Sequence, residues 1–353
     1  MTGTSITVVG AGGNIGSHLA PHLARMPGVA RLTLVDRDHY EARNLASQNI
    51  TPADVGKPKA MVQAARARRI MPGLRVDAMV GSVEHLPLGR LRADVILACL
   101  DSRRARQHVN QIAWRLGVAW IDAGVRAEEM LARVKVYLPG EETPCLECAW
   151  SDEDYETLDQ TYPCLGARAA EPAATNAPSA LGALAASLQA LECQKLLAGK
   201  VDQAAAGTQV TVDTMWHKHL VTAYRRNPHC RFDHRTWRVE KLDCRVGRLK
   251  VAEAIELMGE LGLEGKPFVT KLRCTRCGRV KRLLRLACCL RPAERQCAGC
   301  GSDMAAAGFD LVDRFVAPLP ARVGSRTLAS IGLRPGDVLN AGDTGYELTD
   351  QAA

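Results

Sequence analysis

The chain has 353 residues, an ordinary apolar share of 47% with only 4% aromatics, and a formal net charge of +8. Such a length supports about two or three compact units without disulfide staples, and the composition excludes a disordered or fibrous protein. The start, MTGTSITVVGAGG, has no basic region or cleavage site, and the most apolar stretch, PSALGALAASLQALECQKLLAG, is interrupted by Gln, Glu and Lys. A cytoplasmic protein with no membrane partner is therefore expected.

In chain order, SITVVGAG reads as a strand running into glycines and SHLAPHLARM as the helix that follows. RLTLVD is a second strand. Then come a polar loop, the helix KPKAMVQAARARRI, the strands RVDAMVG and ADVILACLD, the helix ARQHVNQIAWRLG and the strand AWIDAGV. Strands alternating with helices predict an α/β fold, a Rossmann-like doubly wound and mostly parallel sheet. Residues 151–178, rich in Asp, Glu, Pro and Ala, read as a long loop. A helix over Ser179–Leu197 with Gly199 as its stop and a strand pair around TQVTVDT and HLVTAYRR complete this part. Near residue 240 the pattern changes to a helix at VAEAIELMGEL, a cysteine-rich stretch and a tail punctuated by Gly and Pro.

Gly10, Gly12, Gly13 and Gly16 lie between the first strand and first helix, where absent side chains let backbone N–H groups approach a phosphate at the positive helix end. Asp36 ends the second strand, placed to accept hydrogen bonds from ribose hydroxyls. These features suit a nicotinamide nucleotide as well as ATP. Others favour ATP: Arg43, Asn44 and Gln48 follow Asp36 and Asp38 in a polar loop that can reach phosphates, and Lys59 adds a compact positive charge. Asp101, at the carboxyl end of the fourth strand, is a candidate Mg²⁺ ligand. Each residue also has a purely structural use, Asn44 as a helix cap, Lys59 as a solvated helix residue and Asp101 as a turn residue.

Taken together, VVGAGG, VDRD, RNLASQ, VGKPKA and CLDSRRAR, followed by PCLEC and SLQALECQKLLAG, resemble the ThiF/MoeB/HesA-like branch of the ubiquitin-activating-enzyme superfamily over about residues 5–235. The resemblance implies an ATP-dependent adenylyltransferase that activates the C-terminal glycine carboxylate of a ubiquitin-like or sulfur-carrier protein and releases pyrophosphate. It implies that Asp36 binds ribose, that Asn44, Gln48 and Lys59 handle the triphosphate, and that Asp101 holds Mg²⁺, with Lys59 and Asp101 in the catalytic roles. A homodimer is implied, and a conjugating-type enzyme is a candidate partner. Three positions depart from the pattern: the glycine loop has one extra residue before Gly16, and Ser47 and Ser102 stand where Arg and Asn are expected. Arg43, Arg103 and Arg106 are candidates to compensate.

Thirteen cysteines in a reducing compartment point to metal and chemistry. Cys145 and Cys148 form half of a tetrahedral Zn²⁺ site. The resemblance places the other half at Cys230, with His234 the favoured fourth ligand and Asp233 the alternative. Cys274, Cys277, Cys297 and Cys300 make a second Zn²⁺ site of zinc-ribbon type, outside the stretch covered by the resemblance, while Cys288 and Cys289 read as core or surface thiols. In the members that form thioesters, a cysteine of the crossover loop receives the activated carboxyl group, and Cys164 in TYPCLG is the candidate here.

The expected organisation is an adenylation domain with a structural zinc site over 1–238, a helical connector over 239–268, a zinc ribbon over 269–304 and a C-terminal tail segment over 305–353. Residues 271–295 carry nine Lys or Arg and one acid, Glu294. A docking face for a protein is favoured over nucleic acid there, because no aromatics interleave with the charges. The rival functions are an NAD-dependent oxidoreductase and a non-catalytic zinc-bearing protein or nucleic-acid binding module.

Overall fold

A computed structural model describes residues 3–159 and 177–349. The described residues divide into two units, the first made of residues 3–83, 91–155 and 177–236, the second of 84–90, 156–159 and 237–349.

The first unit is built on an eight-stranded sheet. Its strands are Thr4–Val9 (β1), Val29–Asp36 (β2), Arg75–Val80 (β3), Val95–Ala98 (β4), Ala119–Arg126 (β5), Leu131–Tyr137 (β6), Thr208–Asp213 (β7) and Lys218–Ala223 (β8). They run in the order β3-β2-β1-β4-β5-β6-β7-β8. The first five are parallel and the last three join antiparallel. Ile6 to Val9 and Val95 to Ala98 are buried throughout, as parallel strands covered on both faces require. Helices Asn14–Ala24 (α1), Lys59–Ile70 (α2), Arg103–Leu116 (α3) and Ser179–Leu197 (α5) cover the sheet. The strand order reverses between β1 and β4, so a ligand crevice opens at the carboxyl ends of these two strands.

Two elements were not legible in the sequence reading. LARVKVY, to which the sequence reading gave no element, is β6: Ala132, Val134 and Val136 enter the core beside α5, while Arg133 and Lys135 alternate on the other face. The acid-rich stretch read as loop contains a helix, Asp152–Asp159 (α4). Ser151 N–H and Oγ both donate to Asp154 Oδ2, and three acids sit in its first turn, where the helix dipole favours them. Cys164 lies outside the described residues.

α5 matches its expected span, and Gly199 just past it takes φ +71°. Its buried Gln189 donates from Nε2 to the carbonyls of Ala98 (3.1 Å) and Ile121 (2.8 Å), clamping the helix to the end of β4 and to β5 beside it.

In the second unit, the expected helix is Val251–Met258 (α6). Its remaining elements are the strands Arg238–Leu242 (β9), Glu260–Gly262 (β10), Phe268–Cys274 (β11), Val280–Leu286 (β12), Met304–Ala305 (β13), Leu311–Val312 (β14) and Arg314–Val316 (β15), the short helix Ala321–Gly324 (α7), and the strands Val338–Ala341 (β16) and Thr344–Leu348 (β17). β11 pairs with β12 on one side and with β13 and β14 on the other. The stretches read as connector, ribbon and tail share a core, in which Ile255, Phe268, Leu286, Leu339 and Leu348 are buried together. Among the described residues no helix is long and apolar enough to cross a membrane.

Candidate functional site

The glycine loop is held to β2 by Asp36. Asp36 Oδ2 accepts a 2.8 Å hydrogen bond from Gly12 N–H, and Oδ1 accepts from Asp38 N–H at 3.0 Å. Gly10 and Ala11 donate to the Val35 carbonyl at 2.9 and 3.1 Å. Burial pushes the Asp36 carboxyl up, against the downward pull of those two N–H groups and Lys59. Gly13 then caps α1 without a side chain, so the first N–H groups of the helix are left for a ligand.

Lys59, first residue of α2, is buried at 8% exposure, which rules out a solvated surface role. A Cβ on Gly12 would stand 2.3 Å from Lys59 Cβ, so the bare glycine is what lets the lysine stem cross the loop. Its Nζ lies 3.7 Å from Asp38 Oδ2 and 5.7 Å from the centroid of Tyr40. Tyr40 is buried and its hydroxyl accepts from Gln63 Nε2 at 2.7 Å. The sequence reading missed Tyr40, which stands two residues after Asp38.

Asn44 acts as a cap: its Oδ1 accepts from Glu41 N–H at 2.8 Å at the start of a single turn of helix, Ala42–Ala46. Arg43 points to solvent and pairs with Glu41 at 2.9 Å. Gln48 Oε1 is buried with no hydrogen-bond partner among the described residues, an acceptor left over in the loop that follows Asp38. Ser17 Oγ, on α1, accepts from Asn49 N–H at 3.0 Å and ties that loop to the helix.

Asp101 is exposed at the carboxyl end of β4. Ser102 caps α3, its Oγ accepting from Ala105 N–H at 3.4 Å, so the serine at this departure from the family pattern has a local use. Arg103 pairs with Asp154 at 2.5 Å. Arg106 is held in the interior, its Nε 2.8 Å from Asp122 Oδ1 and its Nη2 donating to the Leu100 carbonyl.

Asp122 faces Lys135 across β5 and β6 at the same end of the sheet. Lys135 is buried, its Nζ 4.6 Å from the Tyr224 centroid, and burial pulls its amine down to about 8. A lysine held below its unfolded value of about 10.4 lowers stability below pH 8, and the penalty fades as pH rises toward that unfolded value. Lys135→Met is expected to stabilise the protein by about 1–2 kcal/mol at pH 7, less than the shift alone implies because the ring contact is lost, and to do little near pH 10. Urea melts at the two pH values check this.

Two clusters have the geometry of metal sites. Cys145, Cys148, Cys230 and His234 bring their ligand atoms within 4.8 Å of one another. Cys145 Sγ is 3.8 Å from Cys230 Sγ, and Cys148 Sγ is 3.5 Å from His234 Nε2. A tetrahedron with Zn–S arms of about 2.3 Å has edges of about 3.8 Å, so the donors fit zinc. Asp233, the alternative fourth ligand, is turned away and grips Arg115 with both oxygens, at 2.6 and 3.0 Å. Cys274, Cys277, Cys297 and Cys300 form the second cluster, with sulfur separations of 3.4, 3.6 and 3.7 Å.

The model of the ThiF family matches residues 2–232. Ubiquitin-like modifier-activating enzyme 5 from Dictyostelium discoideum is 30% identical over 159 residues, 41% of this chain and 41% of that protein. The sulfur carrier protein ThiS adenylyltransferase of Escherichia coli (strain K12) is 30% identical over 199 residues, 56% of this chain and 73% of that protein. The chain thus spans about two fifths of the length of the first relative. Among solved structures, E. coli MccB with ATP aligns with a TM-score of 0.52 at 22% identity over 65% of each chain, a likeness of fold.

Proposed function

The chain belongs to the ThiF family, and on that premise we propose that it is an ATP-dependent adenylyltransferase acting on the C-terminal glycine carboxylate of a ubiquitin-like or sulfur-carrier protein. The observation that carries this reading is the site in which Asp36 pins Gly12 while Lys59, buried against that glycine, holds its ammonium beside Asp38 just past the end of β2.

In the proposed reaction a carboxylate oxygen attacks the α-phosphorus of ATP, the bond to the bridging oxygen breaks, and pyrophosphate leaves. The chain's task is positioning and charge neutralisation rather than proton transfer. The glycine-loop and α1 N–H groups receive phosphate oxygens, Asp36 accepts from the ribose, Gln48 would donate from its side-chain amide to the triphosphate, and Lys59 meets the negative charge. Mg²⁺ held by Asp101 would neutralise further phosphate charge. Cys164 is assigned the following step, in which its thiolate attacks the acyl-adenylate carbonyl and AMP departs. Zn²⁺ at Cys145, Cys148, Cys230 and His234 would hold the segment after β6 to the end of the domain. The active form is assigned as a cytoplasmic homodimer, with a conjugating-type enzyme as a candidate acceptor.

The test is ATP–pyrophosphate exchange dependent on a small protein ending in glycine. Asp101→Ala is expected to lower exchange at least about 100-fold, and normal exchange in that variant would remove Asp101 from the metal role. In the same assay Cys164→Ser is expected to retain exchange and lose a thiol-sensitive adduct. ATP with Mg²⁺, but not NAD, should raise the melting temperature; the reverse result supports the oxidoreductase reading.

A further inference from the structure

The cysteine-rich hairpin of β11 and β12 shows one face as a row of cations. Lys271 lies opposite Arg282 and Arg273 opposite Val280, so by strand alternation all four side chains share a face. Arg276 and Arg279 extend the row onto the first knuckle, where Arg279 lies across Gly299 of the second: a Cβ there would stand 2.8 Å from its Cζ. Arg273, Arg276, Arg279 and Arg282 are exposed. Nearby acids are already engaged, Glu294 by Arg285 and Arg291 and Asp310 by Lys271. Residues 271–310 hold nine cations against Glu294, Asp303 and Asp310. Even the double negative charge of a zinc-bound tetrathiolate leaves a surplus of four.

Tertiary structure adds what the local sequence lacks, an aromatic ring. Pairing of β14 with the start of β11 brings in the 308–310 turn: the Asp310 carbonyl accepts from Thr270 Oγ1 at 2.9 Å, and its carboxylate lies 3.5 Å from Lys271 Nζ. The preceding residue, Phe309, is 78% exposed, the most exposed large hydrophobic side chain among the described residues. Phe309 thus immediately precedes the residue that meets Lys271 at one end of the row, and an exposed ring at that end would supply a stacking platform for a strand whose phosphates lie on the guanidinium groups. Alternate residues of a strand repeat about every 7 Å, close to the step between successive phosphates of an extended single strand.

We propose that this face of the second unit binds single-stranded nucleic acid, with Arg273, Arg276, Arg279 and Arg282 on phosphates and Phe309 under a base. This activity is independent of carboxyl activation by the first unit. The choice over an acidic protein rests on Phe309 and on the row being almost entirely arginine.

The experiment is fluorescence anisotropy of the full-length, zinc-loaded protein with labelled poly(dT) and poly(U) of about 16 nucleotides, between about 50 and 200 mM salt. Four phosphate contacts to a single strand predict a slope of log affinity on log salt of about −3. Arg273→Gln with Arg282→Gln is expected to weaken binding at least about tenfold and flatten the slope by about 1.4. Phe309→Ala is expected to weaken it about 5- to 150-fold with the slope unchanged. Unchanged zinc content in both variants shows that the fold is intact. No binding at the lowest salt overturns the proposal. So does polyglutamate binding as tightly as the oligonucleotides with Phe309→Ala silent, which would mark a face for acidic proteins, and so does a duplex binding as tightly as the single strands.

Discussion

Gly16→Ala is expected to abolish carrier-dependent pyrophosphate exchange and to destabilise the first unit by about 3 kcal/mol or more. Gly16 lies in the first turn of α1, where a Cβ would stand 2.2 Å from the Gly10 carbonyl oxygen and 2.7 and 2.8 Å from the Ala11 backbone. These are backbone atoms, so the clash cannot be relieved by a rotamer. Either the helix start moves away from the loop or the loop leaves the Val35 carbonyl and the Asp36 carboxylate that hold Gly10, Ala11 and Gly12. Both routes displace the N–H groups proposed to receive phosphate. Gly13→Ala is the control, since a Cβ there meets nothing closer than 3.6 Å and its φ of −69° suits alanine. Its stability should fall by no more than about 1 kcal/mol, the cost of a weaker N-cap. Denaturant melts of both variants separate the cases, and equal losses would mean that backbone crowding does not govern this loop.

Cys297→Ser is expected to cost the second unit its metal and much of its fold. Cys297 is buried, with its sulfur 3.6 Å from Cys277 Sγ, and its N–H and carbonyl tie the second knuckle to Ser302 and Gly301. The core around it is small, with Val269, Leu272, Cys274 and Met304 as its other buried members. Zinc binding in such modules is worth on the order of 10 kcal/mol, which is folding energy because the site does not exist in the unfolded chain. Bound zinc should fall from about two to about one per chain, with new protease cleavage within residues 237–353. Retention of both metals would show that the four cysteines do not form one site. Cys288→Ser, at a thiol outside the cluster, should keep both metals.

Much of the first unit was legible because parallel strands announce themselves as short β-branched runs followed by helical spacing. The positions of Gly10, Gly12, Asp36 and Asp101 followed from where such strands end. β6 was passed over although Ala132, Val134 and Val136 alternate with Arg133 and Lys135 at strand spacing; what the sequence does not show is that Lys135 is buried too. The helix after Ser151 escaped because its acids look like loop, although the Ser151 to Asp154 spacing carries a capping signal.

The order of elements, the glycine loop and the spacing of both cysteine sets could be read along the chain, since these depend on neighbours in sequence. It took contacts between distant segments to settle that Asp233 is taken by Arg115 while His234 faces Cys148, and that Lys59 is buried against Gly12. The tertiary structure also brought Asp310, the residue after Phe309, against Lys271 through the pairing of β14 with β11. Each of these outcomes is a choice between partners distant in the chain, and burial and charge settle such a choice only once the partners have met.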